Sequence, residues 1–156
     1  MGYHSSTFDP KKHTRFVPLN EEKYVGKEYP VCRSSWENRF CEWCDKNTSV
    51  IKWSSEAIQI PYYDIIKKKN RRYYPDFVMT VKDVNGRLQT YVIEIKPYKE
   101  TIPPNKHGNK KDRTQIYEFC TWQTNVAKWK AAEIYCRKQG LIFRILTEKD
   151  LFKDDK

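Results

Sequence analysis

The sequence predicts a single domain of α/β (α+β) class, with a mixed central β-sheet flanked by helices. Three observations carry this. The chain has 156 residues, the size of one domain around one core. The stretch YYPDFVMTVKDVNGRLQTYVIEIKP, from Tyr73 to Pro97, reads as two apolar-rich strands joined by a turn. Segments with helical periodicity lie before and after that hairpin.

Taken in order, residues 1–30 are rich in Pro, Lys and Tyr without a clear period, and read as an extended N-terminal arm or loosely packed lead-in to a domain at 31–156. In SSWENRFCEWCDKN, Trp36, Phe40, Trp43 and Cys44 fall at i, i+4, i+7 and i+8, one face of a helix. Ser34 suits its cap and Asn47 its end. VIKWSS and AIQIPYY are short strand candidates, and KKKNRR, Lys67 to Arg72, reads as a basic turn. After the hairpin, residues 99–113 carry two prolines and a glycine and predict a loop. A long helix is expected over Thr114 to Gln139, stopped by Gly140 at C′. LIFRIL follows as a buried-type strand, and TEKDLF as a short last helix capped by Thr147. The resulting order is α, β, β, β, β, α, β, α.

Composition narrows the class of function. Lys plus Arg number 30 against 20 Asp plus Glu, a net charge of +10, with a pI near 9.3. That balance favours polyanions, chiefly nucleic acid. Mean hydropathy is low at −0.90, yet aromatics make up 15 % of the chain, enough bulky surface for a core. No apolar run approaches a membrane span and the N-terminus lacks a secretory signal, so no membrane is expected. The odd cysteine count (Cys32, Cys41, Cys44, Cys120 and Cys136) predicts reduced thiols. Cys41 and Cys44 form a CxxC without a matching second half, so core thiols are favoured and no zinc is expected.

The hairpin holds the chemistry. Strand side chains alternate, so Glu94 and Lys96 share one face while Tyr91, Ile93 and Ile95 take the other. A two-residue Asn85-Gly86 loop would set Asp76 opposite Ile95. A three-residue Val84-Asn85-Gly86 loop sets it opposite Glu94. DVNG fits a type I turn followed by a glycine bulge, which selects the longer loop. Opposed β-carbons lie about 5 Å apart. Two carboxylates at that range repel unless a cation sits between them, and oxygen ligands suit magnesium or manganese. Taken singly, Glu-x-Lys is an ordinary solvated pair and Pro-Asp an ordinary turn element; together on a basic chain they are better explained as a site.

Pro75-Asp76 with Glu94-Ile95-Lys96 resembles the PD-(D/E)XK nuclease superfamily. CRSSWENRFCEWCD, VIKWSSEAIQIPY, RRYYPDF, YVIEIKP and FRILTEKDL extend the likeness to the head-completion nucleases of T-even-like bacteriophages, with a layout also similar to TnsA-type transposon endonucleases. The resemblance covers roughly Val31 to Leu151. It implies a single restriction-endonuclease-like domain in which Asp76, Glu94 and the carbonyl of Ile95 bind Mg²⁺, with Mn²⁺ as substitute. It gives Lys96 the water and the phosphate charge. It adds two candidates: Glu37 on the helix before the sheet, and a polar residue on the following helix, where Gln115, Gln123, Asn125 and Lys128 are available and Lys128 is included. Glu37 has a second reading, since Ser34-x-x-Glu37 is a capping box.

DNA contacts are expected from Lys67, Lys68, Lys69, Arg71 and Arg72 before the motif strand, from Lys106, Lys110, Lys111 and Arg113 after the hairpin, and from Lys128 on the following helix. Neither run suggests base reading. The expected function is metal-dependent DNA endonuclease acting on packaged DNA in phage head completion, in virion or host cytoplasm, with portal, neck or capsid proteins as partners. Two alternatives stand beside it: a non-catalytic head-completion plug or connector, and a TnsA-like transposon-end endonuclease.

Overall fold

The structure, a computed structural model, describes residues 13–105 and 111–152. Its centre is a four-stranded sheet in the order β3-β6-β7-β8, formed by β3 (Val50–Ser55), β6 (Phe77–Lys82), β7 (Leu88–Ile95) and β8 (Ile142–Leu146). The first two pairings are antiparallel and β7 with β8 is parallel, so the sheet is mixed, as the sequence predicts. The parallel pair needs a long crossover, and α2 (Asp112–Gln139) supplies it. Gly140, at φ +71°, ends α2. The Gly140 amide bonds the Arg137 carbonyl and the Leu141 amide bonds that of Cys136, a Schellman stop.

Strand alternation divides the core. Phe77, Met79, Ile93 and Ile95 turn to one face and pack with Phe40, Cys41 and Cys44 of α1 (Ser35–Lys46) and with Trp53. Val92 and Phe143 turn to the other face and meet Ala132 and Cys136 of α2. Glu94 shares the parity of Val92 and so lies on the α2 side. The last helix, α3 (Glu148–Leu151), carries a complete capping box between Thr147 and Asp150. Four cysteines (Cys32, Cys41, Cys44 and Cys136) are buried, and burial raises the Cys44 and Cys136 thiols, Cys136 to about 11.

Several expectations need correction. KKKNRR is not a turn throughout: its last four residues belong to strand β5 (Lys69–Tyr73), paired antiparallel with β4 (Ile60–Asp64) as a two-stranded ribbon of its own. A polycationic strand shows no apolar alternation, so its period is invisible. Trp43 is 45 % exposed, and Cys41 takes the buried place beside Phe40 and Cys44. The lead-in is packed over its described part. β1 (Thr14–Arg15) pairs with β2 (Val31–Cys32), and Tyr24 packs edge-on against Trp53 at 4.8 Å. The buried Asp45 carboxylate accepts the amides of Leu19 and Asn20, both at 2.9 Å. Lys23 Nζ donates to the carbonyls of Cys44, Asp45 and Asn47 at the C-terminus of α1, where a cation is favoured. Scattered polar partners of this kind leave no periodic trace in a sequence.

Candidate active site

The β6–β7 turn sets the site. The Asp83 amide bonds the Arg87 carbonyl and the Gly86 amide bonds the Asp83 carbonyl, closing a three-residue loop. Gly86 sits at φ +77°, where a side chain would be strained. The register that follows runs from Lys82↔Leu88 to Phe77↔Ile93. One more step sets Asp76 opposite Glu94. The longer loop therefore forms and delivers the expected pairing.

Asp76 stands at the mouth of β6, behind the buried Pro75. Its carbonyl accepts the Glu56 amide at 3.0 Å, and its Oδ2 accepts the Ile95 amide at 2.7 Å. The side chain is thereby held across the strand pair. Glu94 is 7 % exposed. Its Oε2 accepts a hydrogen bond from the Tyr73 hydroxyl, and Lys96 Nζ lies 3.8 Å from Oε1. Lys128 of α2 sits over the rings of Tyr73 and Tyr62, at 5.8 and 5.9 Å from their centres.

The electrostatics are those of a crowded acidic pair. Burial raises the Asp76 carboxyl well above its usual value, and the charge of Glu94 raises it further. Burial also raises Glu94, opposed by the Tyr73 hydrogen bond and by the charges of Lys96 and Lys128. Lys128 is lowered by burial, opposed by Glu94. Two buried carboxylates, one raised further by the charge of the other, form an oxygen-donor set fitted to a cation, and Lys96 forms its ion pair with Glu94. Among the described residues no three His, Cys, Asp or Glu side chains converge. Protein carboxylates alone would thus supply two ligands, the number typical of magnesium sites that keep several waters.

The other candidates are distributed around this pair. Glu37 uses its carboxylate at the start of α1, accepting the Arg33 amide at 3.2 Å, while its own amide donates to Ser34 Oγ at 3.2 Å. Its charge is felt at both Asp76 and Glu94 without joining them in one cluster. Lys67, Lys68, Lys69 and Arg72 are exposed on the ribbon, and Arg71 turns inward to Asp64 at 3.4 Å. Lys111 and Arg113 are exposed at the start of α2; Lys106 and Lys110 lie outside the described residues. Sequence reasoning missed Tyr73 and Tyr62. The signal was the alternation of Ile60, Tyr62 and Asp64 facing Tyr73 and Arg71, hidden once the basic run was read as a turn.

Comparison with known proteins bears on this arrangement. The family described as TnsA-like endonuclease N terminal matches residues 47–148, which include Asp76, Glu94 and Lys96. The chain is also 44 % identical over 144 residues to the head completion nuclease of Enterobacteria phage T4, covering 88 % of this chain and 91 % of that protein. The chain belongs to the TnsA-like endonuclease family and is a relative of the phage head completion nuclease. This family assignment agrees with the mixed sheet and its flanking helices, a restriction-endonuclease-like architecture. Glu37 precedes the matched stretch, whereas Tyr73 and Lys128 fall within it. No helix among the described residues is long and apolar enough to cross a membrane.

Proposed function

We infer that the chain is a Mg²⁺-dependent endodeoxyribonuclease, with Mn²⁺ able to substitute, and that it processes packaged DNA as a phage head is finished. The observation that carries this reading is the opposition of Asp76 and Glu94 across β6 and β7 with Lys96 beside Glu94. Asp76, Glu94 and the carbonyl of Ile95 are the residues that would hold the cation. When bound, it supplies positive charge to the phosphoryl oxygens and acidifies water. Lys96, on the strand face of Glu94, orients the attacking water and adds charge where the phosphate becomes more negative. Tyr73 fixes the rotamer of Glu94. Lys128 contributes a second ammonium to the same pocket. The cations of the ribbon and of the start of α2 hold phosphates on either side, and nothing in them reads bases. Kinship with a head completion nuclease supports virion or host cytoplasm as the place of action and portal, neck or capsid proteins as partners.

Plasmid cleavage tests this directly. The purified chain should nick or cut DNA with Mg²⁺, and lose activity with EDTA or in Asp76→Ala and Lys96→Met. A wild-type protein that cuts no duplex, branched or single-stranded DNA would turn the assignment toward a structural plug.

A further inference from the structure

The β4–β5 ribbon ends in an unusual surface. Tyr63, Ile65 and Ile66 are 52 %, 50 % and 43 % exposed at its outer face and tip. Lys67, Lys68, Lys69 and Arg72 surround them, all exposed. Between Ile60 and Tyr74 the sole acid is Asp64, and it is turned inward. Its Oδ1 accepts the amides of Ile66 and Lys67, each at 3.0 Å, and Lys68 takes a left-handed conformation at φ +52°. The tip is thus pre-shaped, purely cationic on its exposed side, and crowned by two isoleucines that no core burial explains. Its charge is complementary to a polyanion, and cations flanking an apolar wedge are the pattern by which proteins unstack and kink duplex DNA.

We propose that the ribbon tip is a DNA wedge: Ile65 and Ile66 enter a groove and prise apart one base step while Lys67, Lys68, Lys69 and Arg72 hold the flanking phosphates. The favoured substrate class is then DNA that kinks easily, such as mismatched, nicked or branched duplex. The ribbon base is tied to the site through Tyr73 and Glu94. At ~3.4 Å per residue, the tip lies about 20 Å along the strand from Tyr73. This deepens the nuclease reading and rests on it for the choice of DNA as partner.

The experiment measures binding and bending of end-labelled short duplexes by energy transfer, on an Asp76→Asn background without Mg²⁺, so that neither cutting nor carboxylate repulsion intervenes. The parent protein should bend duplex and prefer a mismatched duplex over an intact one by about tenfold. Ile65→Ser/Ile66→Ser should abolish bend and preference while leaving the melting temperature nearly unchanged, because both residues are exposed. Lys67→Gln/Lys68→Gln/Lys69→Gln should weaken all duplexes alike and flatten the salt dependence. Bending by the double isoleucine variant equal to the parent's would overturn the wedge and point the apolar tip to a protein partner. Failure of the parent to bind any DNA would instead overturn the nuclease reading.

Discussion

Asp76 Oδ2 accepts the backbone amide of Ile95 at 2.7 Å, so the strand that presents Glu94 also anchors the acid opposed to it. The two carboxylates cannot separate without breaking the β6–β7 mouth. Their repulsion is built into the fold, which makes it measurable.

Asp76→Asn should raise the melting temperature of the metal-free protein near neutral pH by a few degrees, about 1 kcal/mol. Asn keeps an oxygen for the Ile95 amide and removes one charge. The pH dependence has a definite sign. Both carboxyls are raised in the folded state, by burial first, so the unfolded chain releases their protons at lower pH. The cost is absent below the ordinary carboxylate range and grows as pH climbs through it toward the folded values. Thermal melts across pH should show this decline in the wild type and a shallower one in Asp76→Asn. Saturating Mg²⁺ should stabilise the wild type and not the variant.

Tyr73→Phe should keep the ring beneath Lys128 and lose only the bond to Glu94. Cleavage should fall about tenfold or more, with the Mg²⁺ concentration for half-maximal stabilisation shifted upward, since orienting partners of a ligand typically matter by ~10–100-fold. Calorimetric titration with Mn²⁺ checks the shift without relying on turnover. Unchanged affinity and rate would remove Tyr73 from the site.

Glu37→Ala should lower stability by about 1 kcal/mol, because the Arg33 amide at the start of α1 loses its carboxylate acceptor while the Ser34 cap remains. Glu37→Gln should restore it, because an amide oxygen still accepts the Arg33 amide. Cleavage should survive in Glu37→Gln. A loss of cutting there with an intact melting curve would restore the catalytic assignment implied by the resemblance.

Asp64→Asn should change the acid limb. The amides of Lys67 and Ile66, with Arg71, hold the Asp64 carboxyl below its ordinary value. Stability from that depression is present above the unfolded value and is lost as pH falls through the folded one. The variant should therefore unfold with less dependence on pH in the acid range, and protease nicking at the ribbon tip should increase.

The hairpin was legible because its rules are local. Asp83, Asn85 and Gly86 dictate loop length, loop length dictates register, and register decides that Asp76 meets Glu94. The stop at Gly140 and the cap at Thr147 were legible for the same reason. β5 was not, since a strand written Lys-Asn-Arg-Arg-Tyr owes its existence to pairing with β4 and to Tyr73 reaching Glu94. Trp43 was misplaced because a single helical period does not say how far the apolar face is covered by neighbours. The place of Lys128 was not legible either, because its position over two tyrosine rings depends on how α2 packs on the ribbon.

The clasp between Lys23, Asp45 and the end of α1 bears on any shortened version of this protein. A recombinant fragment trimmed to Val31 would leave the Asp45 carboxylate buried without its amide donors, strip the carbonyls of the helix terminus of their ammonium, and uncover Trp53. Such a fragment should be poorly soluble and unstable even though every motif residue is intact, so the opening stretch must be retained in any crystallisation or activity study.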